Sequence, residues 1–394
     1  MTLTETGLSE RALERRLKRH MRKENHTFFV SCPPGFESFL ETELRRIGAP
    51  GVTENIKGGI TFSGSLDWIY KVNLQSAVAG RMLLRIGTFT CKSYPELFSK
   101  SQRLDWELVL GRNPTFSFNV SATESRLHHT DNIAKAMGDG ILDYYSQWPD
   151  QKIEIADKSD LTVFVRFQDD VCTVSLDTTG EHLHKRGYKP FSVEAPLREN
   201  LAAGLLIWAE AEKFPVIVDP FCGSGTFLFE SVRKTSGPFP GENRTYGFEK
   251  AAFFRDADLK RIQKSIPKPE EVTQVAYGSD VAAKAIDAAR KNAAQAKVDT
   301  RIRFELADAV ELKNSWPSPG LIISNPPYGK RIGPVSDAEA VLGRFFHRLY
   351  TDFPGWTWCI VVPEETRFPW KTLRELKFNN GGLWVKAVIG KIPG

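Results

Sequence analysis

Val216-Ile217-Val218-Asp219-Pro220-Phe221-Cys222-Gly223-Ser224-Gly225-Thr226 is a short apolar run that breaks into a glycine-rich turn and then an apolar helix pattern starting near Phe227. The run reads as a buried strand, and the turn removes Cβ atoms at Gly223 and Gly225, so that backbone can approach a ligand closely. Backbone amides at the start of the following helix favour an anion such as a carboxylate. A structural strand-to-helix turn would use the same glycines, so a second feature must decide. About a hundred residues on, Leu321-Ile322-Ile323 forms another buried run, followed by Ser324-Asn325-Pro326-Pro327-Tyr328-Gly329. Two prolines fix φ and lack N–H groups, so this loop is stiff and displays carbonyl oxygens. Asn325 Oδ1 and a proline carbonyl can each accept a hydrogen from an exocyclic amine, and Tyr328 offers a face for a flat base. The two segments together point to transfer of a methyl group to a nucleobase amine, with S-adenosylmethionine as donor.

Between them lie further strand-end acids. Tyr277-Gly278-Ser279-Asp280 closes a strand with a carboxylate placed for ribose hydroxyls. It falls farther from the glycine turn than the usual ~20 residues, and residues 234–271, charged and proline-containing, account for the difference as an insertion. Asp308, after Ile302-Arg303-Phe304, is placed either to accept from an adenine amine or to cap a helix. Cys222 sits inside the glycine turn and reads as a small packing residue rather than a nucleophile.

Strands and helices alternate after residue 196, as in a doubly wound sheet. Phe378-Asn379-Asn380-Gly381-Gly382-Leu383 has hairpin chemistry, so the final strands are expected to be antiparallel. Upstream, Phe28 to Val30, a helix carrying Phe36, Phe39, Leu40, Leu44 and Ile47, strands over 52–57 and 59–62, a helix over 66–74 and a strand over 82–89 give the order β-α-β-β-α-β of a ferredoxin-like unit. Residues 95–176 supply another α/β unit, with alternating strands at Thr115–Val120 and Leu161–Phe167 around a helix from Asp131. Residues 178–196 break the periodicity. Residues 8–24 are the most basic stretch and carry Leu13, Leu17 and Met21 at helical spacing, either as a solvated extension or as a phosphate contact.

The chain has 394 residues, 41% hydrophobic and 26% charged, with net charge +5, enough for two or three domains. Its charge is nearly balanced in both halves, so any nucleic-acid surface is a local patch. No apolar run approaches a membrane span and no signal-peptide core opens the chain, which makes the cytoplasm the expected location. Five scattered cysteines provide neither a disulfide framework nor a zinc set, and the pairs His128/His129 and His182/His184 lack companion ligands. No metal is expected.

These residues resemble a known family. The chain looks like an RNA methyltransferase bearing a THUMP domain, most similar to the bacterial 23S rRNA guanine-N2 methyltransferases. Cys32-Pro33-Pro34-Gly35-Phe36-Glu37 resembles the family's opening turn, and Ser125-Arg126-Leu127-His128-His129-Thr130-Asp131 a THUMP segment. Asp177 to Tyr188 is similar to the interdomain link, and Ala195 to Ala203 to the entry into the catalytic domain. Some relatives carry a second methyltransferase domain, and this sequence ends before one begins.

The resemblance implies an α/β protein: a C-terminal Rossmann-like class I methyltransferase sheet with an antiparallel final hairpin, preceded by ferredoxin-like and THUMP modules. The implied division is a basic extension over 1–26, the start of a ferredoxin-like module over 27–65, a THUMP-containing RNA-binding domain over 66–178, a linker over 179–195 and the methyltransferase over 196–394. The implied cofactor positions are Asp219, Pro220, Gly223, Ser224, Gly225 and Thr226 at the methionine end, Asp280 and Val281 at the ribose, and Asp308 and Ala309 at the adenine. The implied catalytic positions are Asn325, Pro326, Pro327 and Tyr328. A tRNA guanine-N2 enzyme, an adenine-N6 DNA enzyme and a non-catalytic RNA-binding assembly factor are the competing readings; the intact motifs count against the last.

Overall fold

In the computed structural model, residues 10–148, 151–191, 197–236, 239–242, 244–267, 274–317, 319–327, 335–368 and 371–394 are described. The chain opens with helix α1 (Glu10–Met21), then β1 (His26–Ser31), α2 (Glu37–Arg46), β2 (Glu54–Ile56), β3 (Gly59–Gly64), α3 (Asp67–Gln75) and β4 (Arg81–Thr90). Next come α4 (Tyr94–Ser101), β5 (Thr115–Thr123), α5 (Thr130–Tyr145), β6 (Glu154–Ile155), β7 (Leu161–Gln168) and β8 (Val171–Asp177). The expected β-α-β-β-α-β order is present over β1 to β4. The structure adds that β4 pairs antiparallel with β8, which fuses the two N-terminal units into one eight-stranded sheet, β2-β3-β1-β4-β8-β7-β5-β6. Side chains alternate across it: Phe28, Val30, Leu84, Val163, Val165, Val174 and Leu176 are buried toward the helices, while Thr27, Arg85, Thr162, Phe164 and Thr173 face the other way.

From Glu10 onward the basic segment is helical and seated on the core. Leu13 is buried, Leu17 and Met21 pack on the core, and Arg16 pairs with Asp105 at 2.7 Å and Glu107 at 2.9 Å.

The second half contains α6 (Glu199–Trp208), β9 (Val216–Asp219), α7 (Thr226–Ser236), α8 (Asp256–Ser265), β10 (Val275–Asp280), α9 (Ala283–Gln295), β11 (Ile302–Leu306), β12 (Leu321–Ser324), α10 (Val335–Asp352), β13 (Thr357–Pro363), β14 (Thr372–Asn380) and β15 (Leu383–Lys391). Its sheet runs β11-β10-β9-β12-β13-β15-β14. β9 to β13 are parallel, and β14 and β15 form the antiparallel hairpin about Gly381 and Gly382. Every residue of β9 and β12 is buried, as parallel strands covered on both faces require. Ile217, Leu321 and Ile323 face the core shared with the N-terminal half, whereas Val216, Val218 and Ile322 face α10.

The two halves meet without a spacer. Phe36 stacks edge-on against Phe378 and lies so close to Gly204 that an added Cβ would sit 2.3 Å from its ring. Successive strands from β9 extend one way through β10 and β11, and the chain then crosses to β12 on the other flank of β9. In open α/β sheets such a reversal is where ligands bind, here at the carboxyl ends of β9 and β12.

Candidate active site

The glycine turn leaves β9 at Asp219 and enters α7 at Thr226. Gly223 and Gly225 have φ of +52° and +90°, a region that side chains with a Cβ avoid. The turn is tied to the next strand: Cys222 N donates to Ser279 O at 3.0 Å, and Gly223 N to Asp280 Oδ2 at 3.0 Å. The other oxygen of Asp280 accepts from Ala282 N at 2.9 Å, so this carboxylate is aimed across the strand end. Ser224 Oγ is buried without a hydrogen-bond partner. An unsatisfied buried hydroxyl at the start of a helix marks a place for a polar ligand.

Asp219 joins the two motifs. It is 2% exposed, and its Oδ1 accepts from Ser324 Oγ at 2.5 Å and from Phe221 N at 3.2 Å. Burial pushes its acid up to about 7. In register, Ile322 lies beside Val218, which places the β12 end against the β9 end. Asn325 follows, and its Oδ1 is buried with no partner. Pro326 is buried and Pro327 half-buried. Tyr328 lies outside the described residues.

Farther along the strand ends, Val281 is 65% and Leu306 55% exposed. Leu306 is paired in register with Asp280. Asp308 accepts from Val310 N at 3.1 Å and so caps the short turn Ala309–Glu311, while Ala309 is buried. Two carboxylates beside exposed apolar side chains suit a hydroxylated sugar carrying a flat ring. Cys222 and Leu228 both pack around Gly278, and burial pushes the Cys222 thiol up, which disfavours the thiolate and fits a packing role. Among the described residues no three His, Cys, Asp or Glu side chains gather as a metal set.

Three residues with no role in the sequence reading complete the site. Ser324 holds Asp219, as above. Lys189, buried, donates to Thr226 Oγ1 at 2.9 Å and pairs with Glu199 at 3.2 Å. Asn292 Nδ2 donates to Phe191 O at 2.7 Å and to Ser224 O at 3.4 Å. The interdomain link therefore touches the glycine turn from behind. Only the neighbourhood of Ser324 to Asn325 hinted at any of this; long-range bonds from Lys189 and Asn292 leave no local signature.

Three family models match in order: the RlmL ferredoxin-like domain over residues 27–83, the THUMP domain over 91–177, and the RMKL-like methyltransferase domain over 186–381. The chain belongs to the THUMP-domain methyltransferases. Among relatives of these methyltransferases, the ribosomal RNA large subunit methyltransferase K/L of Shewanella sediminis is 32% identical over 368 residues, which is 90% of this chain and 51% of that protein. The chain thus spans about half the length of the relatives it matches. Among solved structures, a possible methylase from Clostridium difficile 630 superposes with a TM-score of 0.83 at 29% identity, covering 94% of this chain and 98% of that one. A putative methyltransferase complexed with SAH, SMU.472, gives 0.83 at 26% identity, covering 94% and 99%. The open turn, the unpartnered Ser224 Oγ and the strand-end acids of the present chain fit an S-adenosyl group.

Proposed function

We propose that the protein is an S-adenosylmethionine-dependent RNA methyltransferase that modifies the exocyclic N2 amine of a guanine, with 23S rRNA as its substrate and the cytoplasm as its location. The single observation that carries the reading is the buried, unpartnered Asn325 Oδ1 at the strand end adjoining the glycine turn. A buried acceptor without a donor costs about 1–3 kcal/mol, and an amine that donates to it recovers that cost. The name of the Shewanella relative supports ribosomal RNA, and the THUMP unit supports an RNA rather than a DNA substrate.

Bound at the turn, the cofactor supplies an electrophilic methyl group on a sulfonium. The chain does the rest by positioning. Asn325 Oδ1 and the Pro326 carbonyl accept the two amine hydrogens and so orient its lone pair. Pro327 stiffens the loop, and Tyr328 stacks on the extruded base, since a paired base is out of reach. Asp219, with Ser324 bound to it, fixes the β12 end relative to the turn. No strong base is required, because a methylated cationic amine sheds its proton readily. Alignment of this kind is worth up to roughly 7–11 kcal/mol in well-oriented systems. The division of labour follows the chain: 27–65 and 66–178 for RNA, 179–195 as link, 196–394 for transfer, with Asp219 to Thr226, Asp280, Val281, Asp308 and Ala309 holding the cofactor.

The test is incubation with labelled S-adenosylmethionine and 23S rRNA, tRNA or DNA, followed by nucleoside analysis. Label in N2-methylguanosine from 23S rRNA is the expected result. Label in N6-methyladenine refutes the reading, and N2-methylguanosine from tRNA alone moves it to the tRNA enzyme.

A further inference from the structure

The hairpin that closes the second sheet carries two exposed apolar side chains at its tip. Leu383 is 56% and Trp384 60% exposed, whereas Val385, Ala387, Val388 and Ile389 behind them are buried. The turn itself is fixed: Gly381 and Gly382 have φ of +65° and +96°, and Asn379 Oδ1 accepts from Gly382 N at 2.8 Å. Alternation along β15 puts Trp384 in step with Val388, on the α10 side of the sheet. Leu383 is in step with Val385, Ala387 and Ile389, on the side of the N-terminal half. The tip is thus apolar on both faces, like the edge of a wedge.

Apolar side chains scattered singly on a surface need no explanation, so position decides. β15 runs antiparallel to β13, with Val385 opposite Pro363, and β13 runs parallel to β12, with Ile360 beside Ser324. The tip therefore stands at the carboxyl end of the parallel strands, the end that also carries Asn325. Along the strand direction Trp384 overhangs Ser324 by roughly 13 Å, and it lies two strands over, roughly 10 Å. An extruded guanine, its neighbouring base and the indole ring bridge such a separation together. A second copy of the chain fits the tip poorly. The edge strand β14 exposes Arg374, Glu375 and Lys377, charges that discourage pairing with another strand. Leu373, 62% exposed, sits at the far end of β14 beside Thr372, which is in register with Gly390. Two side chains at the tip fall well short of the roughly 1,000 Å² of a stable interface.

We propose that the β14–β15 tip is a wedge that holds the substrate open: the Trp384 indole stacks on the base next to the target guanine, and Leu383 fills the space behind the indole. Taking a base out of its stack costs free energy, because its neighbours lose their stacking partner. An aromatic face restores that contact with any base, and an apolar side chain beside it keeps water out of the gap. The wedge carries no charge, so it adds affinity without releasing counterions. The proposal rests on the RNA reading above and deepens it, by naming the part of the chain that grips the nucleotide beside the reacting one.

The test compares the full chain with Trp384→Ala, Trp384→Phe and Leu373→Ala, using labelled S-adenosylmethionine and 23S rRNA transcripts. Trp384→Ala is expected to raise the KM for RNA about tenfold. Its salt dependence of binding, its affinity for S-adenosylhomocysteine and its melting temperature are expected to match the parent. Trp384→Phe keeps an aromatic face and is expected to stay within about threefold of the parent KM. Leu373→Ala removes an equally exposed leucine from the other end of β14 and is expected to behave like the parent. An unchanged KM in Trp384→Ala overturns the proposal, as does a Trp384→Phe variant as weak as Trp384→Ala. A lower melting temperature or weaker S-adenosylhomocysteine binding in Trp384→Ala makes the tip structural and also overturns it. So does a parent that sediments as a dimer and a Trp384→Ala variant that sediments as a monomer, because the tip is then an interface between copies. Failure of the RNA reading appears in the parent, as label in DNA or in no nucleic acid, whereas failure of the wedge appears only in the variants.

Discussion

On the function proposed above, the two sheets of this protein carry their roles in different places. In the C-terminal sheet the chemistry sits at strand ends, where Asp219, Asp280, Asp308 and Asn325 are lined up by parallel pairing at a chain reversal. In the N-terminal sheet, for which RNA contact is proposed, β4, β7 and β8 pair side by side and present a broad face instead. A strand-end site depends on backbone placement, so single changes are expected to be severe. A face shares its energy among many side chains, so single changes are expected to be mild.

The sharpest break of that contrast lies at Asn325. Asn325→Ala is expected to lower the methyl-transfer rate about a thousandfold or more while the affinity for S-adenosylhomocysteine changes less than about threefold. Single-turnover assays with calorimetry check this, and parallel loss of both would make the loop structural. Next comes Gly225→Val. The backbone there has φ +90°, and an added Cβ would stand 2.7 Å from the Phe229 ring. The expected outcome is loss of measurable cofactor binding and a stability loss of about 2–4 kcal/mol, read by denaturant melts.

Asp219 sharpens the comparison through pH. Its acid is raised by burial to about 7 in the folded chain, above the usual carboxylate value of about 3.9. The folded state therefore holds this proton more tightly than the unfolded one. Its contribution is complete below about pH 4 and is lost as pH rises through about 7. Asp219→Asn is expected to flatten the fall in stability over that window, by up to about 3 kcal/mol; urea melts at pH 5 and pH 8 that show the same slope in both proteins refute the assignment. The smallest effect is expected on the face. Arg16→Met leaves the buried Glu107 carboxylate with Tyr144 as its remaining hydrogen-bond partner and loosens α1. A stability loss of about 1–3 kcal/mol with the transfer rate on a free guanine-containing oligonucleotide unchanged is the expected pattern.

The same contrast explains how much was legible in the chain. Strand-end motifs are contiguous, so the glycine turn and the Asn-Pro-Pro loop could be read with their strands, and the Gly381-Gly382 hairpin could be read from turn chemistry. The fusion of the ferredoxin-like and THUMP units could not, because β4 and β8 are far apart in sequence and either unit is self-consistent alone. The basic stretch of residues 8–24 left two readings open. Arg16, Asp105 and Glu107 resolved its seat, and no periodicity encodes that contact.

By itself the sequence determined local geometry and chemistry: φ-permissive glycines, stiff prolines, acids after apolar runs, and the order of elements. Only tertiary structure decided which of these meet. Parallel pairing of β9 with β12 set Ser324 on Asp219 and left Asn325 Oδ1 buried without a donor. Packing of α9 and of the segment before α6 likewise brought Asn292 and Lys189 to the glycine turn. Such contacts form between groups distant along the chain, where burial and hydrogen-bond satisfaction, rather than local propensity, select the partner.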